Sequence, residues 1–120
     1  MSEWELIDED RTRAYADLTD DHNPLHLDNE FARETPLGRT IAHGTVTLAQ
    51  VMRLLERSLG AEAVARGELR VRFQAPVYVG TRVRAVLQAA EMPDMPLSVA
   101  VECEDGRTTL SGTFIPEARS

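Results

Sequence analysis

Residues 20–28 read DDHNPLHLD, and residues 41–44 read IAHG. The first stretch holds a carboxylate and an imidazole, Asp21 and His26, five residues apart. Those are residue types that move protons in general acid–base catalysis, a contribution typically worth about 10²–10⁴-fold in rate. On a continuous helix a spacing of five would splay the two side chains by about 140°. The turn demanded by Asn23 and Pro24 reverses the chain instead, so both can point at one spot. The same residues allow two other readings. His22, His26 and His43 with Asp21 could ligate a metal, but Pro24 breaks the helix that would co-orient His22 and His26. No metal is therefore expected, and His22 reads as an exposed position. Asp21 and His26 could also be no more than a structural Asx-turn and a surface histidine.

Composition narrows the setting. The chain has 120 residues, 42% of them hydrophobic, which suits one domain with one modest core, taken as residues 1–120. A pocket in so small a domain calls for a second subunit to complete it. All thirteen basic residues are Arg, against twenty acidic ones, for a net charge of −7. Residues 1–35 carry three Arg and eleven acids (3 − 11 = −8), and the remainder ten Arg and nine acids (10 − 9 = +1). No basic stripe covers the chain, so nucleic acid is not an expected partner. Arg66, Arg70, Arg72, Arg82 and Arg84 stand against Glu68 alone, and this local excess suits either a phosphorylated ligand or a solvated strand face. The lone Cys103 falls at an alternating apolar position, reads as a core residue, and fits a reducing cytoplasm. No stretch is apolar enough to span a membrane, and MSEWELIDED does not read as a secretory signal.

The elements that must position the polar stretch follow from periodicity. A short strand is expected at 4–7, then a helix capped by Asp8 with Ala14, Tyr15 and Leu18 among its apolar positions. Asp28 can cap a further helical turn through Phe31 and Ala32, ended by Pro36 and Gly38. From His43 to Leu59 apolar residues leave only a narrow polar face at Gln50, Arg53 and Arg57, so this helix should be wrapped by other structure. After residue 67 the period becomes two, over Leu69–Ala75, Arg82–Gln88, Leu97–Glu104 and, past the Asp105–Gly106 turn, Arg107–Ile115. Loops are expected at 76–81 and 92–96. The long helix would run about 25 Å, close to the breadth of five strands at about 4.8 Å. An antiparallel meander curled around one central helix, an α+β architecture, satisfies both.

Three segments carry a resemblance to a known family. Asp21-His22-Asn23-Pro24-Leu25-His26 is similar to the D-x-N-P-x-H motif of the MaoC-like, (R)-specific enoyl-CoA hydratases, which have the hotdog fold. Ile41-Ala42-His43-Gly44 resembles the segment that opens their central helix, and Val71–Gly80 resembles their strand–Pro–Val–x–x–Gly turn. The resemblance implies that Asp21 and His26 are the catalytic pair and that the Gly44 N–H receives the thioester oxygen. A helix N-terminus suits that task, because its first N–H groups are unpaired and the dipole favours negative charge. Asn23 and His43 are carried as further site candidates, with Arg70 and Arg72 for the phosphates of a carrier. Asn23 is also expected to tie the turn. Two departures stand out. Asp20 occupies a place where the family often has Gly, and the helix lacks the family's Ser, with Ala49 and Met52 near that place and Thr45 or Thr47 as substitutes.

The expected activity is reversible hydration of a trans-2-enoyl thioester in a homodimer or dimer of dimers. CoA or phosphopantetheine would enter only as part of the substrate, with no separate cofactor. Carrier-protein dehydratases of fatty-acid or polyketide assembly are the alternative, although the acidic chain favours CoA over an acidic carrier protein. A hotdog thioesterase and a non-catalytic acyl-thioester-binding subunit fit less well, since Asp21, Asn23, His26 and Gly44 occur together.

Overall fold

The computed structural model describes residues 2–88 and 95–117. Along the chain run β1 (Glu5–Ile7), α1 (Glu9–Thr19), α2 (Pro24–Leu27), α3 (Asn29–Arg33), α4 (Gly44–Leu59), α5 (Ala61–Arg66), β2 (Glu68–Phe73), β3 (Thr81–Gln88), β4 (Leu97–Cys103) and β5 (Thr108–Ile115). The strands form one antiparallel sheet in the order β1-β3-β4-β5-β2. One face of it packs on α4, where Val46, Val51 and Leu55 meet Val83, Ala85, Val101 and Leu110 in a common core. This is the expected α+β architecture. Cys103 is buried in that core, and burial pushes its thiol upward against the opposing charge of Arg107, as suits an inert packing residue.

The helical front half is defined at its ends. The Asp8 carboxylate accepts the Arg11 N–H at 2.8 Å and starts α1. Ala16 and Thr12 form the buried face of α1 and Tyr15 packs beside the core, whereas Ala14 is exposed and Leu18 is 82% exposed. Pro24 occupies the first turn of α2, where its missing N–H costs nothing. Asp28 caps α3 by accepting from Glu30 and Phe31.

Four expectations need correction. The central helix is not wrapped all round: Ala49 and Leu59 are exposed, and Leu48 and Met52 are half-buried. Gln50, placed on its polar face by periodicity, is 2% exposed. It shares the i, i+4 row of Val46 and Leu54, so the helix turns it inward, and its amide donates to the Glu5 carboxylate on β1. Helix α5 carries no period long enough to be read from sequence; it follows Gly60, whose φ of 89° suits glycine.

The meander is the fourth. Strands β3, β4 and β5 follow one another, but β2 pairs with β5, with Val71 opposite Gly112. Residues 74–80 carry the chain past Ile41, which bridges to Tyr78, and on to the far side of the sheet. Gly112 permits this tight pairing, since a Cβ there would lie 2.1 Å from the Arg70 carbonyl oxygen. Arg70 and Arg72 are thus separated from Arg82 and Arg84 by two strands and do not form one patch with them. Apart from Met95 and Pro96, the loop expected at 92–96 lies outside the described residues.

Candidate active site

Three chain segments converge: the end of α1, the short α2, and the start of α4. At the first, Asp20 has φ 56° and ψ 35°, a left-handed conformation that closes α1 and throws Asp21 off its axis. This accounts for the departure from the family pattern at position 20. The backbone there needs positive φ, which glycine takes freely and Asp tolerates better than most residues. The N–H groups of Asp20 and Asp21 both turn back to the Ala16 carbonyl.

Asn23 then caps α2, its Oδ1 accepting the Leu25 N–H at 3.0 Å, which places Asn23 in the turn. One helical turn later His26 lies with Nδ1 2.7 Å from the Ile41 carbonyl oxygen. A carbonyl only accepts, so Nδ1 carries the proton and Nε2 presents a lone pair. Donor atoms of Asp21, His26 and His43 lie within 4.8 Å of one another. Two hydrogen bonds of about 2.8 Å reach across a gap of that size, which is the span of one bridging water. The Asp21 carboxylate is half-exposed and therefore open to solvent and ligand.

His43 occupies the N-cap position of α4 and is 4% exposed. Its Nε2 donates to the backbone oxygen of Asp21 at 2.9 Å. Its ring stacks on that of His26, with centroids 3.8 Å apart and planes at 26°, and the Tyr15 ring lies 5.1 Å away. For His43 to ligate a metal it would have to surrender that Nε2 proton or use Nδ1, which is buried.

Gly44 opens α4 and is exposed, and the His43 side chain makes no capping bond to the helix. The Val46 N–H bonds back to the His43 carbonyl at 3.0 Å, so among the described residues the Gly44 and Thr45 N–H groups are the ones open to a ligand, with the helix dipole behind them. The Phe73 ring lies against this point: a Cβ at Gly44 would come within 3.2 Å of it. Of the two hydroxyls considered in place of a helix serine, Thr47 is buried and donates to the Gly44 carbonyl at 2.8 Å. Thr45 is exposed at the mouth and bonded to the Tyr15 hydroxyl. Tyr15 and Phe73 are site neighbours that the sequence reading treated only as apolar positions. Their contacts arise from tertiary packing, and no local pattern marks them.

The remaining candidates are dispersed. Arg70 pairs with Glu68 at 2.9 Å on the edge strand, and Arg72 is exposed one residue pair further on. Arg66, Arg82 and Arg84 pair with Glu62, Glu104 and Glu102. Arg84 also covers the Trp4 ring at 4.4 Å. Most of the local positive excess is thus neutralised by neighbouring carboxylates. His22 lies on the surface between Asp17 and Asp20.

Comparison with known proteins agrees with this architecture. A family model described as a MaoC like domain matches residues 1–109. A 3-hydroxyacyl-thioester dehydratase Z of Mycobacterium tuberculosis is 40% identical over 99 residues, covering 79% of this chain and 66% of the relative. The chain thus spans just under two thirds of that relative's length. An (R)-specific enoyl-CoA hydratase of Aeromonas caviae is 32% identical, over 85% of this chain and 79% of its own. The solved (R)-hydratase from A. caviae superposes with a TM-score of 0.75 at 24% identity, covering 98% of this chain and 92% of the other, a likeness of fold.

Proposed function

Because this chain belongs to the MaoC-like family, we propose that it is a hydro-lyase that hydrates a trans-2-enoyl thioester to the (R)-3-hydroxyacyl thioester and runs the reverse dehydration. The observation that carries the reading is the meeting of Asp21, His26 and His43 within 4.8 Å beside the start of α4, with Nδ1 of His26 held by the Ile41 carbonyl. A water held between Asp21 and His26 loses a proton to one of them as its oxygen bonds to C3. The C2–C3 π electrons move toward the thioester oxygen, which gains enolate charge against the Gly44 N–H. A proton then passes from the pair to C2 as the carbonyl re-forms, leaving OH on C3 and H on C2. Each preorganised donor at such an oxyanion is typically worth about 10²–10³-fold in rate.

Loss of enoyl absorbance on incubation with crotonyl-CoA tests the reaction directly. Turnover is expected. Binding without turnover of either crotonyl-CoA or crotonyl carrier protein would make the chain a thioester-binding module. Chelator treatment should leave the rate unchanged, and a loss restored by zinc would turn Asp21, His26 and His43 into a metal site.

CoA is the proposed carrier on the acidity of the chain, and a carrier-protein-dependent dehydratase is the alternative. Arg72 carries the phosphate-binding part of this proposal, since the other arginines of its group face carboxylates. Arg72→Ala should raise KM for crotonyl-CoA severalfold with kcat unchanged, and leave KM for crotonyl-pantetheine alone. Equal effects on both would make Arg72 a solvated strand residue. A homodimer is part of the same reading. Among the described residues the edge strand β2 leaves one side of its backbone unpaired, and it carries half-buried Leu69 and Val71 and a 53% exposed Phe73, features that favour pairing with a second copy. A monomeric mass in sedimentation at micromolar concentration would contradict it. Among the described residues no helix is long and apolar enough to cross a membrane, and a cytoplasmic location is proposed on the buried, unpaired Cys103.

A further inference from the structure

His43 is a costly residue to bury, and its surroundings show what it does. The Asp21 carbonyl fixes the proton of His43 on Nε2. Its Nδ1 is consequently a lone pair, buried and without a hydrogen-bond partner among the described residues. A donor placed there would find no acceptor among the described residues. At 4% exposure it also offers almost no surface to a substrate. An apolar ring would remove the orphaned nitrogen, so the imidazole must be kept for something an apolar ring lacks.

We infer that His43 is a positioning residue that clamps both members of the catalytic pair, Asp21 through its backbone and His26 through its ring. The Nε2–H bond at 2.9 Å ties down the turn that follows the left-handed Asp20. The flat face of the same ring supports His26 at 3.8 Å, opposite the Ile41 carbonyl that fixes the edge of His26. The backbone of His43, at φ −63° and ψ 136°, is also the N-cap of α4 and leads directly to Gly44. One residue thus sets the spacing between the general acid–base pair and the oxyanion donor. Asparagine can donate the bond without stacking, and phenylalanine can stack without donating. The clamp predicts that neither suffices.

The inference rests on the hydratase reading, and its test separates the two. Full-chain wild type, His43→Phe and His43→Asn would be compared by circular dichroism, by crotonyl-CoA kinetics and by long-range ¹H–¹⁵N spectra of the histidine rings. Wild type should show a solvent-protected His43 Nε2–H and His26 as the Nδ1–H tautomer. Both variants should stay folded and lose about 10- to 10²-fold in kcat with KM within about twofold, as expected of misplaced groups. The His26 signals should shift to a mixture of tautomers. Near-native kcat in either variant, or a raised KM at unchanged kcat, would overturn the clamp. So would an unprotected His43 Nε2–H in wild type, a measurement that needs no variant to fold. If wild type turned over no enoyl thioester, the hydratase reading would fail, while unchanged His26 spectra in the folded variants would sink the clamp by itself.

Discussion

The segment from residue 8 to 43 and the remainder of the chain are held by different forces. The helix–sheet half seals branched and aromatic side chains, among them Leu55, Val83, Val101, Leu110 and Phe114. The site-bearing segment buries only Thr12, Ala16, Ala32, Thr40, Ala42 and His43. Its shape comes from individually named hydrogen bonds: the caps by Asp8, Asn23 and Asp28, the His26–Ile41 bond, and the His43–Asp21 bond. Apolar packing is spread over many contacts and tolerates volume-conserving exchange. A polar turn has few bonds, each with one geometry, so a single loss displaces a reacting group. The scaffold should therefore fail in stability, and the site segment in rate.

The largest effects should come from Asp21→Asn and His26→Ala. Each is expected to lower kcat by at least about 10²-fold with no change in Tm, and the double variant should be little worse than the worse single one. A variant that kept near-native turnover would end the paired mechanism, and one that lost Tm as well would blur the division between the two regions. From the other side, Leu55→Ala or Leu110→Ala should cost about 2–5 kcal/mol in urea unfolding. The fraction that remains folded should keep its kcat.

Asn23→Ala tests the seam between them. Losing the cap should cost about 1 kcal/mol, but α2 is only four residues long and carries His26. Turnover should consequently fall further than stability does, and a purely thermodynamic loss would show that the turn is held by something other than Asn23.

The smallest effect concerns Glu5, where β1 meets α1 and α4. Partial burial pushes its carboxyl upward, but the Gln50 amide bond and the charges of Arg53 and Arg11 outweigh this and hold it below its ordinary 4.5. A folded value below the unfolded one means that the contribution is fully present above about 4.5 and is lost as pH falls through the folded value. The stability difference between wild type and Glu5→Gln should be constant from about pH 6 to 8, at no more than about 1 kcal/mol. It should shrink below pH 4.5, and a difference that widened on acidification would contradict the network.

Much of this was legible along the chain because it depends on neighbours in sequence. Period two gave β3 and β4 nearly to the residue, since each strand has one buried face, as Val83 and Ala85 show. Asp8 and Asp28 were recognisable caps, and Asn23 a recognisable turn residue, because each bonds to an N–H only two or three residues away. Asp21 and His26 were recognisable as a pair because the Asn–Pro turn joining them is local. Gln50 was misplaced because its partner Glu5 lies forty-five residues away, and periodicity is blind to a polar group buried against another.

The sequence by itself determined most of the element types, the closeness of Asp21 to His26 across a turn, and the helix start beside them, all products of short-range steric and hydrogen-bonding rules. Tertiary structure decided where β2 goes, and with it the fate of the arginine group, because strand order depends on how residues 74–80 cross the molecule. It alone brought the Tyr15 hydroxyl to Thr45, laid Phe73 against Gly44, and slid the His43 ring beneath His26. Those contacts join residues whose separation along the chain carries no periodic signal, so only the packed fold can specify them.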